Sequence, residues 1–144
     1  MTKKNLGLLL VVIVLATVYI VYFTQWFRPQ TVRIFSVNRN LRAAPLRGNL
    51  LPNLNFVLSR PLRLTELKVV SLAGLATNKA TLPVWHLISD SNSVPTKMFF
   101  YGQPIGGMRP YLKGVRADEL ETNVPYRLLI SAGRVTGQND FELK

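Results

Sequence analysis

Leu6 to Phe27 reads LGLLLVVIVLATVYIVYFTQWF, and no charged residue occurs between Lys4 and Arg28. An uncharged helix of that length reaches roughly 34 Å, enough to cross a hydrocarbon core of ~30 Å with slight tilt. Its β-branched residues, Val11 to Val14 among them, lower helix propensity in water. In lipid that matters little, because helix is the one way for a single segment to pair its own backbone. Tyr19, Tyr22, Trp26 and Phe27 gather at the C-terminal end, where amphipathic rings favour the headgroup layer. Residues 1–28 are therefore expected to form a transmembrane anchor.

A cleaved signal peptide is the competing explanation, and Lys3 and Lys4 would supply its basic start. The apolar core is longer than such signals use. No small-x-small pair follows it, since Ala16-Thr17-Val18 ends in valine. The lack of cysteine also removes any lipoprotein acceptor. An uncleaved anchor is the expectation.

Beyond the anchor, Arg28 to Lys144 is the size of one small domain. Zero cysteines exclude disulfides, thiolate metal sites and cysteine nucleophiles. The formal charge of +11 is unevenly spread. Arg28, Arg33, Arg39, Arg42, Arg47, Arg60 and Arg63 all precede the first acid, Glu66. Arginine forks suit carboxylates and phosphates. Anionic lipid headgroups and an acidic partner subunit rank first as targets. Nucleic acid ranks last, because the chain lacks a basic recognition helix and interleaved aromatics; a solvated basic loop is the plain alternative. Arg28, Arg33, Arg39, Arg42 and Arg47 are the candidate docking residues, since the run starts at the expected membrane face.

Sidedness has two opposed signals. The short tail with Lys3 and Lys4 resembles an export signal, which places the domain outside, in the periplasm of a bacterial cell. The flanking arginines outnumber those lysines, and the positive-inside rule then favours the cytoplasm. The export signal is followed here.

After the anchor, Pro29 ends the helix. Thr31 to Val37 alternates, with Val32 and Ile34 on one face, and is expected to be a first strand within an arginine-rich linker, residues 29–53. Asn38 to Pro52 has loop composition. Within residues 54–144, expected strands are Asn53–Ser59 (whose first residue falls in the linker), Leu62–Leu72, Thr81–Ser89, Lys97–Tyr101 and Tyr126–Ala132. The alternation of Leu62–Leu72 breaks near Glu66, which marks a bulge or a partly helical run. Ala73–Lys79, Asp90–Ser93 and Gly102–Pro110 are expected loops, Gly133–Gly137 a turn, and Asp140–Lys144 a closing segment. About seven short strands with frequent turns and no second long helical period predict a mainly β domain, an antiparallel sandwich.

Leu120, Pro125, Tyr126, Leu128, Ile130 and Ala132, followed by Gly137, resemble the "L…P-x-Y-x-L-x-I-x-A…G" stretch of fibronectin type III and related immunoglobulin-like sandwiches. The resemblance covers the C-terminal quarter of the chain. It implies a tyrosine corner, with the Tyr126 ring buried, its hydroxyl bonded to backbone a few residues upstream, and Leu120 filling the space beneath. The family's early tryptophan has no equivalent: the second strand offers Phe56, and Trp85 comes later. Such sandwiches usually bind rather than catalyse.

The inventory of reactive residues is thin. His86 is the single histidine, without companions at metal-ligand spacing. Asp90 among Ser89, Ser91 and Ser93 has turn composition and too few acids for a calcium loop. Asp118, Glu119 and Glu121 cluster as a solvated turn would. Gly102 to Met108 matches neither the Walker nor the dinucleotide pattern. No cofactor, metal, nucleic acid or small-molecule substrate is therefore expected. The predicted role is a non-catalytic, single-pass subunit that contacts the bilayer and other integral membrane subunits; a respiratory or photosynthetic assembly is one such setting. A membrane-anchored extracytoplasmic binding module is the alternative. A pilin-like filament subunit ranks lower, because the helix lacks a glutamate near its start.

Overall fold

A computed structural model describes residues 2–26, 28–38, 54–90 and 93–144. The chain is mainly β, with an N-terminal apolar helix and two sheets. Helix α1 (Lys3–Trp26) is, among the described residues, the one helix long and apolar enough to cross a bilayer. Its described side chains are exposed throughout. Thr17 and Thr24 each donate a hydroxyl to the carbonyl one turn back, Ile13 at 2.8 Å and Ile20 at 2.5 Å. Their polar groups are thereby satisfied within the helix, which suits an apolar surrounding.

The expected first strand is two strands. β1 (Gln30–Thr31) runs parallel to the last strand, β9 (Val135–Glu142), and β2 (Ile34–Asn38) belongs to the other sheet. The chain changes sheets at Val32–Arg33 because Val32 and Ile34 are both buried at the seam. β3 (Leu54–Leu62) outruns the expected strand; its register shifts between Val57 and Leu62, the interval that holds Pro61. Residues 63–65 then turn the chain into β4 (Glu66–Ser71), which accounts for the broken alternation near Glu66.

Four expectations need correction. Ala73–Lys79 is not a loop, because Leu72–Thr77 forms a short helix, α2. Thr81–Ser89 becomes a strand only from Trp85, as β5 (Trp85–Ser89), with Pro83 left outside the ladder where its missing amide costs nothing. The Gly102–Pro110 connection contains β7 (Met108–Pro110), which pairs with β5. The turn after β8 (Pro125–Ala132) is confined to Gly133 and Arg134, and Gly137 lies inside β9. β6 (Thr96–Phe100) matches its expected position within a residue. The Asn38–Pro52 loop lies almost wholly outside the described residues, as do Ser91 and Asn92 of the Asp90–Ser93 turn.

The larger sheet has the order β1-β9-β8-β4-β5-β7, the smaller β2-β3-β6, and every pairing except β1–β9 is antiparallel. Alternate residues of the longer strands enter one shared core. Leu54, Phe56 and Leu58 come from β3, Leu67 and Val69 from β4, Leu128 and Ile130 from β8. Aromatic rings join the sheets: Phe56 meets Phe141 edge-on at 5.1 Å, and Phe99 meets Trp85 at 6.3 Å. Burial of each such side chain stabilises by about 1.5–3 kcal/mol, so this seam is the main force holding sheet to sheet.

Candidate functional site

Three residues separate α1 from β1, so Gln30 stands at most about 14 Å from the end of the helix. Arg28 and Arg33 flank it, both exposed and, among the described residues, without an ion pair. Arg60, at the end of β3, donates from Nη2 to Gln30 Oε1 at 3.0 Å. Arg39, Arg42 and Arg47 lie outside the described residues. Their bracketing residues, Asn38 and Leu54, pair with each other at the end of β2 remote from Gln30. Closeness in sequence to the helix therefore locates Arg28 and Arg33, and does not locate the other three.

A second surface was visible in sequence through the Phe99-Phe100-Tyr101 run. Its aromatics are expected on both faces of a strand, one in the core and the other left for a partner or the Asn38–Pro52 loop to cover. On the outer side of the smaller sheet, Phe35, Val57 and Met98 stand directly opposite one another across three strands, and Val37, Asn55 and Phe100 form the next row. Phe35, Met98 and Val37 are 55%, 53% and 41% exposed. The signal was present in the alternation, since Val32 and Ile34 facing inward put Phe35 and Val37 outward. The Phe99-Phe100-Tyr101 run divides the same way. Phe99 and Tyr101 are buried and Phe100 lies half-buried in the outer row.

Tyr126 is 4% exposed, stacks on Phe141 at 5.9 Å, and its hydroxyl accepts the backbone N–H of Glu121 at 3.0 Å. Leu120 is buried in the same core. Tyr101 is buried beside it and donates its hydroxyl to the Asp118 carbonyl at 2.7 Å. Burial, with Asp118 and Tyr126 nearby, pushes the Tyr101 phenol well above its ordinary range. Both phenols act as hydrogen-bonding struts that fix the segment leading into β8.

The reactive residues are engaged structurally. Glu66 bonds Lys68 at 2.8 Å and His86 Nε2 at 2.9 Å, and the His86 ring stacks on Tyr111 at 4.4 Å. The Lys68 hydrogen bond is the largest influence on Glu66 and, with His86, holds its carboxyl below the usual value against partial burial. Asp90 pairs with Arg109 at 3.1 Å. Asp140 takes both forks of Arg127, at 2.6 and 2.8 Å, and its carboxyl is lowered by that contact. Asp118, Glu119 and Glu121 are exposed. Among the described residues no group of three or more His, Cys, Asp or Glu side chains could hold a metal ion. A depression of about 700 Å³ is an open groove lined by Val32, Arg33, Glu66, Lys68, Leu129 and Gln138.

No protein-family model, characterised protein or solved structure matches the chain.

Proposed function

We propose that this chain is a single-pass membrane protein whose immunoglobulin-like sandwich stands on the extracytoplasmic side. In this reading it works without catalysis, as a structural subunit docked in a larger membrane complex. The sandwich assignment is supported by strand order. With β2, β3 and β6 taken as A, B and E, and β4, β8 and β9 as C, F and G, the two sheets follow the immunoglobulin partition. Tyr126, second residue of β8, sits where the tyrosine corner of strand F is found.

The observation that carries the docking role is the apolar row Phe35–Val57–Met98 on the outer face of the smaller sheet. Covering its exposed side chains would stabilise a contact by upward of about 1 kcal/mol each. Exposed arginine pairs contribute about 0.2–1 kcal/mol each, too little to carry the contact without that apolar centre. The occupant is a neighbouring subunit of the same assembly, because confinement to a membrane raises the effective concentration of such a partner without added contact energy. Copies bearing Phe35→Ser and Met98→Ser together should stay in the membrane, keep the core aromatics packed, and lose partners that the wild type retains in mild detergent. Equal partner recovery for both proteins would remove the sheet face from the interface.

A further inference from the structure

Folding gathers at one end of the β domain a set of cations that the sequence keeps far apart. Gln30 pairs with Val135, which puts the β8–β9 turn with Arg134 beside the start of β1. Arg60 reaches Gln30 from the end of β3. Two residues beyond Arg63, Thr65 bonds the Ser131 carbonyl near the end of β8, so the β3–β4 link lies at this end as well. Arg28, Arg33, Arg60, Arg63 and Arg134 are all exposed, and among the described residues none has a carboxylate partner. The two acids nearest this end are taken: Glu66 by Lys68, and Asp90 by Arg109. The other five acids, Asp118, Glu119, Glu121, Asp140 and Glu142, belong to the opposite end, where Pro125 pairs with Glu142 and Thr122 with Leu143. Among the described residues, uncompensated positive charge thus collects at the arginine end, while the far end holds its acids together with Arg116, Arg127 and Lys144.

We propose that this arginine end is a binding surface for anionic phospholipid headgroups, which seats the domain on the bilayer. The inference rests on the membrane-anchored reading above. Its basis is tethering: Gln30, at this end, lies within about 14 Å of the helix terminus, and an arginine near an anionic surface strengthens binding about fivefold. Arginine forks match phosphate oxygens in geometry as well as charge.

The chain has no cysteine, so a single introduced one carries a fluorophore uniquely. Thr136→Cys reports the arginine end and Thr122→Cys the far end. The full chain is reconstituted in phosphatidylcholine vesicles with and without phosphatidylglycerol, and energy transfer to a headgroup-labelled lipid is read. Transfer from position 136 should rise in the anionic vesicles, and transfer from position 122 should stay low. Arg60→Gln, Arg63→Gln and Arg134→Gln together, or salt at ~1 M where screening shortens to ~3 Å, should abolish the rise. Gln30→Ala, which removes the Arg60 hydrogen bond but no charge, should retain it. Equal transfer in both compositions, with the protein floating with the vesicles, overturns the headgroup surface and leaves the arginines to an acidic protein. Failure of the wild type to float with either vesicle overturns the anchored reading instead.

Discussion

Gly137 lies so close under Val32 that a Cβ on it would stand 2.6 Å from Val32 Cγ1 and 3.1 Å from the Val32 carbonyl oxygen. The first residues after the helix linker therefore press directly onto β9, and only glycine leaves room for them. That contact fastens the helix-bearing end of the chain to the folded domain. Gly137→Ala should destabilise the domain by about 1–3 kcal/mol, the range for overpacking a filled site. Chemical denaturation of the full chain in detergent checks it, and an unchanged midpoint would mean the seam is loose.

The buried ring and hydroxyl of Tyr126 make two separable predictions. Tyr126→Phe strands the Glu121 N–H and should cost about 0.5–1.5 kcal/mol. Tyr126→Ala also empties the space against Phe141 and should cost about 3–5 kcal/mol. The same denaturation series measures both. Neutral behaviour of the pair would remove Tyr126 from its structural role.

Glu66 gives a pH dependence of defined sign. Its folded carboxyl is lowered, first by the Lys68 hydrogen bond, so the unfolded chain binds the proton more readily. The stabilisation is full above the ordinary glutamate value of about 4.3 and is lost as pH falls through the folded value. Partial exposure keeps it below about 1 kcal/mol. Glu66→Gln should therefore differ from wild type at neutral pH and converge with it in acid. A difference that grows on acidification would contradict the assignment.

The sequence was most legible where one period dominated. The apolar run to Trp26 and the alternation of Tyr126, Leu128 and Ile130 each define an element without help from the rest of the chain. β9 was not legible, because its inward positions Gly137 and Asn139 are small or polar and resemble a turn. β7 is three residues ending in proline, and exists only because β5 offers an edge to pair with. α2 has no side-chain cap and follows the β-branched Val69-Val70 without punctuation. The arginine end was half visible: Arg60 and Arg63 stood in the acid-free run, but Arg134 joins them only through the β8–β9 hairpin.

Sidedness is open to direct chemistry. A cysteine at Thr122, exposed at the end remote from the helix, should react with a membrane-impermeant reagent once the outer barrier is opened. Reaction only after the inner membrane is lysed would place the domain in the cytoplasm and vindicate the arginine count.

The central claim is that this chain works as a docked subunit, and the mass of the particle it occupies tests that most directly. Native mass measurement after gentle extraction should find the 16.2 kDa chain within a larger assembly of fixed composition. A lone chain in its micelle, under extraction mild enough to preserve other membrane complexes from the same preparation, would contradict the account.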